Sequence, residues 1–412
     1  MTNKHTFAAA PKPFTVSFPQ ADIEELHSRL DAARWPAQEI VPEDVDGEDH
    51  AAVFGLGAGP KLTLMKELAR EWRHYDLKAA EEHLNNFQHF TVEIEDLNIH
   101  FLHHRSSRTD AVPLILCHGW PGHFGEFLNA LPLLTSPTNA EEPAFHVVVP
   151  SMPGYAWSSP PKTAKWGMPD AARVYDKLMT GLGYESYVAQ GGDWGSVTAR
   201  CLGALHPENC KAVHLNFCPV GAPPPFSWFN PRTLLDWMPR FLVSDLQRAR
   251  AERALAYLER GSSYYAMQQN TPRTPAYGLN DSPIGLLAWI GEKMIPGIDK
   301  ASKASNPTLT RDSLYLTVSL YWFTGSIGTS FLPYALNPHL THFLSSPTYH
   351  LPNFALSNFP NEIFVPQERD AARTGNLRWC KEAEEGGHFA ALERPEIFVR
   401  HLREAVPVLL KQ

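Results

Sequence analysis

Tyr187-Val188-Ala189-Gln190-Gly191-Gly192-Asp193-Trp194-Gly195-Ser196 passes from a short apolar strand into a helix through a turn crowded with glycine. Small residues flank a central reactive one at a spacing of two, an arrangement in which glycines let the backbone bend sharply and the central side chain stands clear of the sheet. That side chain is the carboxylate of Asp193, where acyl transfer would need Ser or Cys. A carboxylate that attacks an sp³ carbon forms an alkyl ester, and such an ester can be hydrolysed at its own carbonyl. Without its surroundings the stretch also reads as a Gly-rich turn with an aspartate capping the next helix.

The surroundings carry a βαβ rhythm. Val112 to Cys117 and Phe145 to Val149 are short apolar runs with a helix-like stretch, Gly125 to Leu134, between them. Asp170 is expected to cap a helix reaching about Gly183; a helix at Ser196 to Leu205 and a strand at Ala212 to Leu215 follow the turn. Upstream, Phe90, Val92 and Ile94, then Leu97, Ile99 and Phe101, alternate with period two and predict two strands. Before them Ile23, Leu26 and Leu30, then Leu62, Leu64, Met65 and Leu68, repeat with helical spacing. From Pro219, through Pro223 to Pro225, to about Pro338 the text reads as helices and loops rich in Trp, Tyr and Met. Strand-like text returns at Glu362 to Val365 and Leu377 to Lys381, and a final helix starts at Pro395. The expectation is an α/β fold: one mostly parallel sheet flanked by helices, in two core parts (87–218 and 346–412), with a helical lid (219–345) and an N-terminal meander (1–86).

With 412 residues, 43% hydrophobic and 19% charged, the chain can bury a large core and is neither disordered nor fibrous. Its 36 prolines point to many loops. A net charge of −8 offers no basic stripe for nucleic acid. The longest apolar run, Pro283 to Ile290, is far short of a membrane span, and the N-terminus lacks a signal peptide's apolar stretch. Five cysteines without a C-x-x-C pair read as reduced thiols, so a soluble, cytoplasmic protein is expected, free to form a homodimer. Gly55-x-Gly57-x-Gly59 lacks a preceding strand and meets Pro60, so it makes no nucleotide loop. His103 and His104 fall on opposite strand faces, so with His100 they make no metal site. No cofactor and no metal is expected.

Two further motifs complete a chemistry. His118-Gly119-Trp120-Pro121-Gly122 follows a predicted strand; the Trp120 N–H and the Trp194 N–H after the nucleophile can together hold an oxyanion. His118 itself reads as a hydrogen-bonder that organises the loop. Glu384-Glu385-Gly386-Gly387-His388-Phe389 sets His388 on a glycine-flanked loop beyond the last strand, where it can activate water. Glu362 is the expected orienting carboxylate, with Asp370 as fallback; Glu384 and Glu385 stand too near His388 in the chain to reach back to its ring.

These motifs, with Pro13-Phe14-Thr15-Val16, Arg34-Trp35-Pro36, Asn280-Asp281-Ser282-Pro283 and Gly386-Gly387-His388-Phe389-Ala390, make the chain resemble the microsomal-type epoxide hydrolases of the α/β-hydrolase superfamily, most closely their soluble fungal members. The resemblance runs from about Pro13 to Arg394. It implies hydrolysis of an epoxide to a vicinal diol without a cofactor, with Asp193 as nucleophile, His388 as base and Glu362 as acid. It also implies two lid tyrosines that bind the epoxide oxygen, Tyr265 and Tyr334, with Tyr264 one position away from the first. Trp289, Trp322 and Phe323 are expected to line the lid core or the substrate pocket. The apolar N-terminal helix of the membrane-anchored relatives has no counterpart. Alternatives are a haloalkane dehalogenase, which would use indoles such as Trp120 to hold a halide, an epoxide-rearranging biosynthetic enzyme, and a silent binding module.

Overall fold

The computed structural model describes residues 5–40, 59–220, 244–301, 308–338 and 346–411. Gly55, Gly57 and Pro223 to Pro225 lie outside them. Nine strands form one sheet: β1 (Lys12–Phe14), β2 (His89–Ile94), β3 (Leu97–His104), β4 (Val112–Cys117), β5 (Phe145–Pro150), β6 (Tyr187–Gly191), β7 (Cys210–Leu215), β8 (Leu351–Asn358) and β9 (Gly375–Glu382). Their spatial order is β1-β2-β3-β5-β4-β6-β7-β8-β9. The first three strands and β5 pair antiparallel, and every pair from β5 to β9 is parallel. The β2–β3 hairpin turns at Glu95 and Asp96, both with positive φ, the backbone a two-residue turn needs to match the strand twist.

The central strands are apolar and buried on both faces, so helices must cover both. These begin with α1 (Gln20–Asp31), α2 (Leu62–Arg73), α3 (Leu77–Asn85), α4 (Ala130–Thr135), α5 (Met168–Gly181) and α6 (Asp193–Leu205). The chain runs one way along the sheet from β4 to β5 and the other way from β5 to β6. Right-handed crossovers therefore set α4 on one face and α5 with α6 on the other. The strand order reverses at β4, and the crevice at the carboxyl ends of β4 and β6 is where such sheets bind ligands.

Between β7 and β8 the described residues are helix and loop only: α7 (Asp245–Ala256), α8 (Ser263–Asn270), α9 (Arg273–Asp281), α10 (Pro283–Ala301), α11 (Arg311–Thr324) and α12 (Leu332–Leu336). After β8 come α13 (Glu368–Ala371), α14 (Ala390–Glu393) and α15 (Pro395–Leu410). The N-terminal helices bury Ile23, Leu26, Leu30, Met65 and Leu68 of the periodic set, while Leu62 and Leu64 are only half-buried. They are tied to the helical segment: Trp72 Nε1 donates to Ser319 Oγ at 2.8 Å, Arg311 pairs with Glu67 and Glu71 at 2.6 Å each, and Arg29 meets Asp281 at 3.0 Å.

Three local expectations are corrected. Asp170 does not cap α5 but sits inside its first turn, where its carboxylate accepts the Gly167 N–H at 2.8 Å. Gly125 to Leu134 is split into a 3-10 turn, Phe124–Phe127, and α4, because Pro132 starves a single helix of a donor. Glu362 to Val365 is loop; the strand lies earlier, at Leu351–Asn358, where Pro352 near its start hid it.

The turn that carries Asp193 depends on contact between backbones. A Cβ on Gly195 would strike the Cys117 carbonyl at the end of β4, and one on Gly191 would strike the Gly195 carbonyl. Asp193 itself sits at φ 47°, a left-handed conformation costly for a residue with a side chain. Gly195→Ala is expected to destabilise the fold by at least about 3 kcal/mol, since overpacking against backbone cannot relax through a rotamer. Gly278→Ala, with nothing within 4 Å of the new carbon, is expected to be neutral or stabilising in the same denaturant titration.

Candidate active site

Four side chains or backbone groups reach one crevice from the carboxyl ends of four parallel strands. Trp120 follows β4, Asp193 follows β6, Glu362 follows β8 and His388 follows β9. The last two meet because pairing continues past the strands: Ala383 N–H donates to Asn358 O at 2.8 Å, Asn361 N–H to Gly386 O at 3.0 Å, and Asn361 and Gly387 form a parallel bridge. Gly386 has φ 99°, and a Cβ there would press on the Phe359 ring, so the glycines of this loop are required by its geometry.

His388 Nδ1 lies 2.8 Å from Glu362 Oε1 and 3.1 Å from Oε2, and the Ile363 N–H donates to the same Oε1 at 2.6 Å. His388 Nε2 faces Asp193 Oδ2 at 3.5 Å. The other carboxylate oxygen, Asp193 Oδ1, accepts the Trp120 N–H at 2.7 Å. Gly119 permits that contact, since a Cβ there would overlap the Asp193 carboxylate. Burial opposes charge on the His388 ring, but the Glu362 and Asp193 carboxylates outweigh it and hold its pKa well above the ordinary value.

Above the carboxylate stands an aromatic cluster. The Trp194 ring contacts Tyr334 edge-on at 4.9 Å and Tyr265 in a stack at 6.4 Å. Tyr264 is stacked on Trp120 at 5.0 Å, with the Lys293 ammonium over its ring at 4.2 Å. Its hydroxyl lies 3.1 Å from that of Tyr257, with the Tyr334 hydroxyl close by. Tyr334 is buried, and among the described residues its hydroxyl makes no hydrogen bond of good geometry. Burial pushes the Tyr265 phenol up to about 12 and those of Tyr264 and Tyr334 well above their usual value, so all three are protonated donors at neutral pH.

The remaining candidates go elsewhere. Asp370 faces Arg373 at 3.8 Å, Glu384 pairs with Arg400 at 2.6 Å and Glu385 with Arg394 at 3.0 Å. Trp322 lies beneath the Arg29 guanidinium and Phe323 stacks on Phe18 at 4.8 Å, so both pack toward the N-terminal segment. Trp289 is half-buried, with an indole N–H that finds no hydrogen-bond partner among the described residues. His118 accepts the Met152 N–H at Nε2 and turns Nδ1 to Gly119 O, both at 3.0 Å; burial pushes its pKa down to about 4, leaving a neutral ring that shapes the loop. His100 is engaged by Ser151 at 2.8 Å and His89 at 2.9 Å, and His103 by Tyr184 at 2.8 Å.

A family model described as "Epoxide hydrolase N terminus" matches residues 11–127, and one for the "alpha/beta hydrolase fold" matches 112–281. Epoxide hydrolase 1 of Sus scrofa is 31% identical over 427 residues, covering 97% of this chain and 89% of its own. The chain belongs to the epoxide hydrolase family. A Stigmatella aurantiaca relative is 36% identical over 397 residues, covering 95% of this chain and 84% of its own. The solved Aspergillus niger epoxide hydrolase superposes with a TM-score of 0.83 at 34% identity, covering 98% of this chain and 97% of its own. Among the described residues no helix is long and apolar enough to cross a membrane.

Sequence reading missed two carboxyls of this epoxide hydrolase's site. Glu126, in the 3-10 turn after the Trp120 loop, shares a cavity with Asp193 and His388. Glu393 is buried in α14 and accepts the Phe389 N–H at 2.9 Å, which anchors the residue after His388. The only signal was a lone Glu set against apolar sequence, Glu126 inside the run Phe124 to Leu128 and Glu393 directly after the run Phe389 to Leu392. Burial pushes the Glu393 carboxyl up to about 7 from an ordinary 4.5. The stability it contributes is fully present below about pH 4.5 and lost as pH rises through 7, a change of roughly 3 kcal/mol. Glu393→Gln keeps an acceptor for Phe389, so its melting temperature is expected to fall less than that of the parent between pH 5 and pH 8, as scanning calorimetry would record.

Proposed function

We propose that this epoxide hydrolase acts through an alkyl ester on Asp193, and the observation that supports it most is the division of labour between the two carboxylate oxygens. Oδ1 is held by the Trp120 N–H, while Oδ2 is turned toward the open side and His388. Oδ2 is therefore the attacking atom. It bonds to an epoxide carbon as the C–O bond opposite breaks, and the alkoxide takes a proton from a lid phenol. Oδ1 becomes the ester carbonyl oxygen, already where Trp120, joined by the Trp194 N–H, would hold an oxyanion.

Esterification also prepares the second step. It removes the Asp193 charge, one of the two that hold His388 protonated, so the ring releases a proton that replaces the one given by the phenol. His388, oriented by Glu362, then takes a proton from water as the water adds to the ester carbonyl. Collapse expels the diol and restores Asp193. A halide site in place of phenols would mark a dehalogenase, and family membership with three protonated phenols over the carboxylate favours epoxide chemistry. The helical segment between β7 and β8 serves as the lid, and the cytoplasmic assignment is carried by composition, in keeping with five free cysteines.

The first lid donor is better assigned to Tyr264 than to Tyr265. Two phenols that serve one oxygen need hydroxyls side by side, and it is Tyr264 whose hydroxyl neighbours that of Tyr334. Tyr265, one position on, stacks with Trp194 as pocket wall.

His388→Gln should open the ring yet fail to discharge the ester, so mass spectrometry after substrate should show a stable adduct on the peptide containing Asp193. A folded, inactive and unmodified variant would place His388 in the first step and refute this order of events.

Losing one pre-aimed donor costs about 2.7–4 kcal/mol, or 10²–10³ in rate. Tyr264→Phe and Tyr334→Phe are each expected to slow alkylation by up to that factor, less where the surviving phenol compensates, and Tyr265→Phe by under about threefold. Stopped-flow tryptophan fluorescence reads the step, since Trp194 adjoins the nucleophile. A large loss in Tyr265→Phe alone would restore that residue as the donor.

A further inference from the structure

The mechanism above leaves one carboxyl of the site without a task. Glu126 lines a cavity of about 20 Å³, together with Gly122, Asp193, Asn216 and His388. That is room for one water molecule, and the polar groups around it are enough to hold one. Glu126 reaches the cavity by folding over Gly122, where a Cβ would overlap its Oε2. The Asn216 carbonyl oxygen is taken by Gln190 Nε2 at 2.6 Å, and Gly192 leaves room for that amide. The cavity thus offers three chemically distinct walls: the Asp193 carboxylate, the His388 imidazole and a second carboxyl, that of Glu126.

We propose that Glu126 is a positioning residue for the second half-reaction, holding the water that discharges the Asp193 ester. This rests on the ester reading given above. The water lies between Glu126 and His388. One of its hydrogens is hydrogen-bonded to the Glu126 carbonyl oxygen, and the other goes to His388 Nε2 as the water oxygen bonds to the Asp193 carbonyl carbon. The ester C–O bond then breaks, the departing alkoxide takes the proton back from His388, and Glu126 keeps its own proton throughout. Its protonation suits that part: burial pushes its carboxyl up to about 8, with Asp193 raising and His388 lowering it by smaller amounts, so near neutral pH it is an acid whose carbonyl oxygen can accept. A second anion beside Asp193 would instead repel the nucleophile's charge and compete for His388.

The test separates the two half-reactions in single turnovers, following ester formation by quench and mass spectrometry and its decay after substrate is exhausted. Glu126→Met removes the acceptor at similar volume and is expected to slow ester hydrolysis about 10²-fold, the cost of a misplaced reactant, with alkylation within about twofold. Glu126→Gln keeps a carbonyl acceptor and is expected to hydrolyse within about fivefold of the parent. Glu126→Asp, which keeps the chemistry but withdraws the carboxyl, should show the same split at about tenfold and serves if the Met variant does not fold. Hydrolysis at the parental rate in Glu126→Met, or in Glu126→Asp if that variant stands in, would overturn the proposal. So would an equal loss in both steps, or a Gln variant as slow as Met. Failure to find any ester on Asp193 in the unsubstituted enzyme would bring down the underlying reading instead, and with it this one.

Discussion

Helix α6 begins so close to the end of β4 that no side chain fits between them. Gly195 lies against the Cys117 carbonyl, Gly191 against the Gly195 carbonyl, and the chain between them turns at an Asp193 forced to positive φ. A carboxylate mounted this way has little rotational choice. It projects into the crevice with one oxygen delivered to the Trp120 N–H, and that contact again requires a missing side chain, at Gly119. The reactive geometry is therefore a product of backbone packing in the most deeply buried part of the sheet, and the site gains rigidity from the same contacts that stabilise the fold.

On this frame the enzyme assembles an unusual concentration of carboxyl groups about one imidazole. The Asp193 and Glu362 carboxylates together hold the His388 pKa well above its ordinary value against burial, whereas burial pushes the Glu126 carboxyl up to about 8 and that of Glu393 to about 7. In the proposed mechanism, environments that push chemically identical groups apart let them take different parts: attack, orientation, hydrogen bonding and loop anchoring. In the mechanism proposed above the site also changes its own electrostatics when it reacts, because the ester formed in the first step abolishes the charge that kept the base from being a base.

Much of this was legible in the sequence for physical reasons. The parallel strands are apolar on both faces and short, so β4, β5, β6 and β7 stand out as runs; the elbow is marked by glycines that no other residue could replace; and Glu362 and His388 follow from chain order and from family resemblance. What escaped was whatever depends on distance in space. The strand Leu351–Asn358 was masked by Pro352 and three polar residues, although only the parallel partner β7 and β9 give it a reason to be a strand. Trp322 and Phe323, expected in the lid core or the substrate pocket, pack against Arg29 and Phe18, a contact that only the fold reveals. Glu126 and Glu393 look like surface charges until burial is known. The choice between Tyr264 and Tyr265 is a matter of helical phase, about 100° of rotation, which periodicity in a short helix cannot resolve.

The ties between the N-terminal helices and the helical segment bear on how molecules come and go. Glu67, Glu71, Trp72 and Phe18 all fasten to α11, and Arg29 to the end of α9, while β1 in the same N-terminal segment is stitched to the edge of the sheet. The described part of that helical segment is thus tied through the N-terminal helices back to the sheet itself. Any motion of α9 or α11 away from the sheet would have to break these ties or carry the N-terminal helices along.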